Sequence, residues 1–496
     1  MPKTKRSSAV PNSPGREKIM QHREFDVAVI GGGAGGLFAA SVAKALGAKT
    51  CIIEKKKLGG DCTWYGCIPS KAILKSAQVA HTFRQAGNYG IKIPSGLVLD
   101  THGVMNHVRD VVKEISTHHE PEDLQKRGIQ VLFGSPRFLD PAQLQVGDDC
   151  IKAKKWIICT GSHPVVPPID GLKEIPYLTN ENVFDLEKLP DSLIILGGGP
   201  IGCELSQALS RLGVKVTIVE MAERILIRED KELSKYVEEQ FKRDGIQLVT
   251  GKKAIKFIRN NNQVSVVVED QNKNQEKITA TNILVAVGRA PNVEGLDLDK
   301  ANVEYSPKGI KVNEYLQTTN PNIFACGDIA SPYQFSHVAA YQAGVCVRNA
   351  IFKRIAWQKA DYSHMTWATF TDPELAHLGL TEEEAREKSV KIKVYATPYT
   401  NSDRATTDGA KEGFLKVITD EKGFIIGAHI VGANAGEIIQ GFLIAKSQRI
   451  PLSNLARTMF IYPTLSELVK KTAAKPLIEK GNQPLVKWLL KVLKNI

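Results

Sequence analysis

The sequence predicts an α/β protein built on two doubly wound nucleotide-binding units. Residues 25–55, "FDVAVIGGGAGGLFAASVAKALGAKTCIIEK", and residues 192–221, "SLIILGGGPIGCELSQALSRLGVKVTIVEM", follow one plan: buried strand, glycine turn, helix, second strand, acid. A chain of 496 residues is also too long for one core and divides into several domains.

In the first unit the strand from Phe25 to Ile30 runs into Gly31, Gly33 and Gly36 at G-x-G-x-x-G spacing. The first glycine makes the tight turn, the second lets backbone approach a pyrophosphate, and the third lets helix pack on strand. The helix N-terminus then faces the phosphates, and Glu54 ends the second strand, where it can accept from a ribose hydroxyl. In the second unit Gly197, Gly199, Gly202 and Glu220 repeat the pattern. Two units imply two dinucleotides. Glu220 favours a 2′-hydroxyl over a 2′-phosphate, hence NADH, although Arg224 stands four residues on and can admit NADPH. Short strand-to-loop signatures supply further backbone for a cofactor: "WIICTGS" (Thr160, Gly161), "ILVAVGRAPN" (Gly288, Arg289) and "IFACGDIA" (Gly327, Asp328). Asp328 can accept a hydrogen bond from a polyol chain.

Between the two units lies "GGDCTWYGCIPSK", Gly59 to Lys71, with Cys62 and Cys67 five positions apart. A zinc site would need two more ligands at metal spacing, and none is near. A structural disulfide closing so small a ring stabilises little through chain entropy. A working redox pair explains more, because Pro69 marks the first turn of a helix whose positive end would favour a Cys67 thiolate. The other six cysteines sit singly in the sequence, several in apolar runs, as buried small hydrophobes. With no disulfide framework, a reducing compartment is expected, the cytoplasm.

Composition narrows the rest. With 43% apolar and 24% charged residues and no run of ~18 apolar positions, nothing in the sequence reads as a membrane-spanning helix. The net charge of +12 comes without an aromatic-studded basic motif, so nucleic acid is not expected as a partner. Residues 1–23 read as a disordered basic tail without a secretory h-region. At the other end "QPLVKWLLKVLKNI" places Leu485, Leu489, Val492 and Ile496 on one helical stripe, Lys487, Lys491 and Lys494 opposite, and Trp488 as an interfacial anchor. Such a helix can lie on an anionic membrane face, or pack on its own domain or on the dimer mate.

Together these strings, with "FTDPELAHLGLTEEEA" and "YPTLSE", stand in the order of the flavin-dependent pyridine nucleotide–disulfide oxidoreductases, which the chain resembles over residues 25–473. That family includes dihydrolipoamide dehydrogenase, glutathione reductase and mercuric reductase. The resemblance implies an FAD domain over 24–163, completed by 291–362, with Gly60 among its contacts. It implies an NAD(P)H domain over 164–290 and an α+β dimerisation domain over 363–475; the basic amphipathic C-terminal helix, 476–496, is read from its own residues and lies beyond the resemblance. Further, it implies a homodimer in which Cys67 is the thiolate beside the flavin, Cys62 meets the electron acceptor, and Lys71 pairs with Glu204 near the flavin.

One departure is instructive. Disulfide-reducing members carry a histidine acid–base before Pro-Thr, held by a glutamate; here Tyr462 takes its place, ahead of Glu467. An imidazole titrates near 6.5 and a phenol near 10, so tyrosine is a poor base at neutral pH; His337 and His429 are candidates to replace it. Mercuric reductases are similar in using tyrosine there, and soft thiolates suit Hg(II). No cysteine follows Cys346 and none precedes Cys51, so neither the C-terminal cysteine pair nor the N-terminal Cys-x-x-Cys domain of mercuric reductases is expected. A mercuric-reductase-like enzyme is the expected function. The alternatives are a dihydrolipoamide dehydrogenase or other disulfide reductase, and an NADH:quinone-type flavoprotein held at the inner membrane face.

Overall fold

A computed structural model describes residues 21–93 and 98–494. Its first sheet has seven strands. β1 (Gln21–Ile30) lies between β2 (Thr50–Glu54) and the strand Asp149–Ile158, all parallel, and β3 (Ile129–Phe133) flanks β2. The strand Ile323–Ala325 returns from much later in the chain to pair in parallel with Asp149–Ile158. Helix α1 (Ala34–Ala45) packs on the helix Ser336–Ile351 on one face. From Phe25 to Ile30 β1 is apolar at every position but Asp26, and Val27–Ile30 are all buried, as in a strand covered on both faces. It begins earlier than expected: Gln21–Arg23, assigned above to the tail, pair with Asp149–Ile151, and Arg23 meets Asp149 at 3.1 Å. The remainder of that tail lies outside the described residues.

The second unit is a four-stranded parallel sheet, Gln247–Val249, Lys215–Val219, Ser192–Leu196 and Asn282–Val285, with the helix Pro200–Arg211 on it. An antiparallel three-stranded sheet spans Lys253–Ala280. The C-terminal unit is a five-stranded antiparallel sheet, ordered Thr366–Thr369, Glu374–Gly379, Ile425–Gly432, Phe414–Asp420 and Ile392–Pro398. It is backed by the helices Ala435–Ser447 and Glu467–Gly481. Arg211 ties the second unit to the third: Nε meets Asp244 at 2.9 Å and Nη1 meets Asp372 at 2.7 Å. Among the described residues no helix is long and apolar enough to cross a membrane. The last helix, Pro484–Lys494, has no buried residue, and Leu485, Trp488 and Leu493 are exposed.

Candidate active site

The two glycine turns are built alike. Gly31 and Gly197 have φ of 103° and 110°, in the left-handed region. A Cβ on Gly36 would stand 1.8 Å from the Gly31 carbonyl oxygen, and one on Gly202 would stand 2.1 Å from that of Gly197. Gly33 and Gly199 are the N-caps of their helices with no side-chain cap, which leaves the first N–H groups to an anion. Glu54 and Glu220 also act alike: one oxygen of each accepts from the middle glycine's N–H (Gly32 at 2.7 Å, Gly198 at 2.6 Å) and the other from the amide two residues on. Both acids thus pin the glycine turn to the second strand, a role not read from the sequence. Arg224 is committed within its own loop, donating to the carbonyls of Leu226, Ile227 and Glu229 and to Ser234 Oγ.

Gly60 stands against the first turn, where a Cβ would lie 2.6 Å from Gly33 Cα. It opens the short helix α2 (Gly60–Trp64), which holds Cys62; Cys67 is the first residue of α3 (Cys67–Gln85), whose N-cap is Gly66. Pro69 fits the first turn, where a missing N–H costs nothing. Both cysteines are thiols and hydrogen-bond to each other. That bond, with a second from Ser336 and the charge of Lys71, holds Cys67 down to about 6 against its burial. The same bond and burial push Cys62 up. At neutral pH Cys67 therefore carries the negative charge of the pair. Lys71, one turn along α3, meets Glu204 at 2.7 Å, and Glu204 also accepts from the Phe370 N–H at 2.9 Å.

Ser336 was not legible in the sequence. Its Oγ lies 3.6 Å from Cys67 Sγ, at the start of the helix Ser336–Ile351. Its neighbours are held by stacked rings: Phe335 on Trp367, and Trp367 on His377 with 3.7 Å between centroids. With Ser336→Ala the thiolate loses a donor. The midpoint of the pH profile for iodoacetamide alkylation of Cys67 is expected to rise by roughly half to one pH unit, the size of one ordinary hydrogen bond, with Ser336→Thr restoring it.

A second network was also hidden. Arg289 meets Asp61 at 3.0 Å, donates from Nε to Ser162 Oγ, and reaches Asn180. Ser162 Oγ donates in turn to Asp328 at 2.5 Å. Burial pushes the Asp328 carboxyl above the usual range. Gly288 and Gly161 are joined through this region, since Val165 N–H donates to the Gly288 carbonyl and Asn292 N–H to that of Gly161. Thr160 Oγ1 donates to the Asn292 carbonyl, and Gly327 N–H donates to Gln342. The "TGS", "GRAPN" and "CGD" signatures thus converge with Asp61, the residue before Cys62.

Tyr462 stands apart. It is 64% exposed, beside Met459 at 94% and Ile461 at 78%, on the C-terminal unit. Its hydroxyl donates to Asp403 at 2.8 Å, which raises the phenol further. Glu467 meets Lys471 at 3.3 Å, and its Oε2 is buried without a partner. Each candidate histidine is engaged through Nε2, His337 with the Thr366 carbonyl and buried His429 with that of Leu380, while His429 Nδ1 is buried without a partner. Burial holds His429 far below its ordinary value, so it stays neutral.

The bare helix ends, the glycine turns that exclude a Cβ and the half-buried Asp328 fit dinucleotide cofactors. Comparison with known proteins agrees. Residues 25–344 match the pyridine nucleotide-disulphide oxidoreductase family and residues 365–473 its dimerisation domain. The chain is 35% identical to a dihydrolipoyl dehydrogenase of Bacillus subtilis, over 91% of this chain and 97% of that one. It is 32% identical to a mercuric reductase of Staphylococcus aureus, over 91% and 82% respectively. The HOCl-induced flavoprotein disulfide reductase RclA from Escherichia coli, solved as a Cu(II) complex, superimposes with a TM-score of 0.81 at 26% identity, covering 91% of this chain and 99% of that one. The family uses FAD and NAD(P)H, and its dimerisation domain supports a homodimer; this chain belongs to the pyridine nucleotide-disulphide oxidoreductases.

Proposed function

We propose that the protein is an NADH-dependent, mercuric-reductase-like flavoenzyme, using the Cys62–Cys67 pair to reduce a soft metal ion. The observation behind this is Tyr462, a phenol held above its ordinary value by Asp403. Breaking a disulfide acceptor requires a proton at a departing sulfur, which such a phenol supplies poorly at neutral pH. A thiolate-bound Hg(II) takes two electrons and leaves as the metal, with no sulfur leaving group to protonate. When bound, FAD carries the electrons of NADH toward the cysteines. Gly31, Gly33, Gly36, Thr160, Gly161 and Asp328 would hold it, and Gly197, Gly199, Gly202 and Glu220 the nicotinamide dinucleotide. Cys67 supplies the thiolate, Cys62 the thiol that meets the acceptor, and Lys71 with Glu204 a paired charge beside it. The apolar, exposed Met459–Tyr462 segment supports a site completed across the dimer. NADH is favoured because Glu220 closes its turn and Arg224 is spent on its own loop.

The test is oxidation of NADH and NADPH by the FAD-loaded protein with Hg(II) in excess thiol, lipoamide and a soluble quinone as parallel acceptors. Fast Hg(II) turnover from NADH with little lipoamide activity is expected; lipoamide as the preferred acceptor would overturn the reading. The exposed Pro484–Lys494 helix supports a second reading, contact with an anionic membrane face. Holoenzyme is then expected to co-sediment with anionic liposomes and to lose this on truncation after Lys480; unchanged partitioning would exclude it.

A further inference from the structure

In the linear chain Cys159, Cys326 and Cys346 are isolated. The fold brings them together. Cys159 follows the strand Asp149–Ile158, and Cys326 follows Ile323–Ala325. These strands pair in parallel with Ile158 opposite Ala325, so the next residues, Cys159 and Cys326, stand opposite each other. The ladder continues through them, since Cys326 N–H donates to the Ile158 carbonyl at 3.0 Å and Cys159 N–H to that of Ile30 at 2.7 Å. The two sulfurs are 3.3 Å apart and buried. Cys346, on the helix Ser336–Ile351, is also buried nearby, and its Sγ donates to the carbonyl of Ala325, the residue before Cys326, at 3.7 Å. All three are free cysteines, and among the described residues no group of three or more His, Cys, Asp and Glu is arranged to hold a metal ion.

Adjacent strands run about 4.8 Å apart, inside the roughly 4.4–6.8 Å Cα separation that a disulfide spans. Closing the pair therefore needs side-chain rotation and little backbone movement. We propose that Cys159 and Cys326 form a second redox site, which hydrogen peroxide, small and uncharged, converts to a cross-strand disulfide beneath the cofactor-binding loops. One sulfur attacks the peroxide O–O bond, forming a sulfenic acid and releasing water. The other sulfur displaces the hydroxyl, releasing a second water and forming the S–S bond. The two thiol protons leave in the waters, and the peroxide takes both electrons. Burial selects the oxidant, because an ion or a bulky disulfide does not enter a sealed core.

The position gives the bond a consequence. Thr160–Gly161 follow Cys159 directly, and Gly327–Asp328 follow Cys326. In the reduced protein these loops are joined by the Ser162–Asp328 hydrogen bond; a disulfide at their base adds a covalent clamp. Oxidation is expected to slow the escape of FAD. The pair is independent of the acceptor proposed above, since it lies in the core and not at the Cys62–Cys67 site.

The experiment treats FAD-loaded protein with hydrogen peroxide, blocks free thiols under denaturing conditions, and maps the digested peptides. The expected result is a peptide containing Cys159 linked to one containing Cys326, alongside any Cys62–Cys67 link. Release of flavin fluorescence at a fixed, moderate urea concentration is expected to be several-fold slower after oxidation, and Cys159→Ala is expected to abolish both effects. Cys346→Ala leaves the link intact and controls for damage to the core. Recovery of Cys159 and Cys326 as blocked free thiols would overturn the proposal, as would a Cys326–Cys346 link. A Cys159–Cys326 link with unchanged flavin release would overturn the clamp.

Discussion

Replacing Cys62 by serine is expected to lower turnover with a thiophilic acceptor by roughly 10³-fold or more, as loss of an essential nucleophile does, while leaving the Cys67 thiolate in place. The two roles separate because the pair is asymmetric. Cys67 begins a 19-residue helix and accepts hydrogen bonds from Cys62 and Ser336, with Lys71 nearby. Cys62 is the donor of the pair and is pushed up by the bond and by burial. In the FAD-loaded Cys62→Ser protein a long-wavelength thiolate–flavin absorption band is expected without added reductant. Its pH dependence has a fixed sign. A thiol held below its ordinary value of 9.0, at about 6, is ionised at neutral pH, so the band is lost as pH falls through that value. Serine keeps a hydroxyl donor where the Cys62 thiol stood. Cys62→Ala removes it, and its midpoint is therefore expected to lie above that of Cys62→Ser. A band that appears in Cys67→Ser and not in Cys62→Ser would reverse the two assignments.

The parts of this site that were legible in the sequence share a property: their chemistry is local. A glycine turn, the acid that ends the next strand and a cysteine pair five residues apart each sit within one supersecondary unit, where spacing alone dictates geometry. Lys71 and Glu204 are 133 residues apart, and their meeting was expected from family resemblance and not from spacing. The hidden parts depend on sheet register and domain packing. Ser336 reaches Cys67 across 269 residues, and Cys326 reaches Cys159 across 167, because a late strand returns to the first sheet. Arg224 shows the same limit from the other side: its linear position offers a free cation, yet three carbonyls of its own loop and Ser234 Oγ on the helix that follows claim its donors, which no linear pattern reveals.

Tyr462→His is expected to raise lipoamide turnover by roughly 10²–10⁴-fold, the usual contribution of a positioned general acid–base, and to leave Hg(II) turnover little changed. The phenol is a weak proton carrier at neutral pH for two reasons. Its ordinary value near 10 lies far from the working range, and its hydrogen bond to Asp403 moves it further away. An imidazole at the same position titrates near 6.5 and can both take and return a proton. The surroundings suit it, because Glu467 keeps a buried Oε2 with no hydrogen-bond partner. That oxygen can accept the second ring N–H and fix the tautomer, as buried carboxylates do for catalytic histidines. Adding Glu467→Gln to the Tyr462→His protein is then expected to remove much of the gain, because the amide is a weaker acceptor for a ring that becomes charged during turnover. A gain that survives this second change would mean that the ring acts without Glu467. No gain from Tyr462→His itself would place the proton work elsewhere, and a metal ion would then have no advantage over a disulfide as the acceptor.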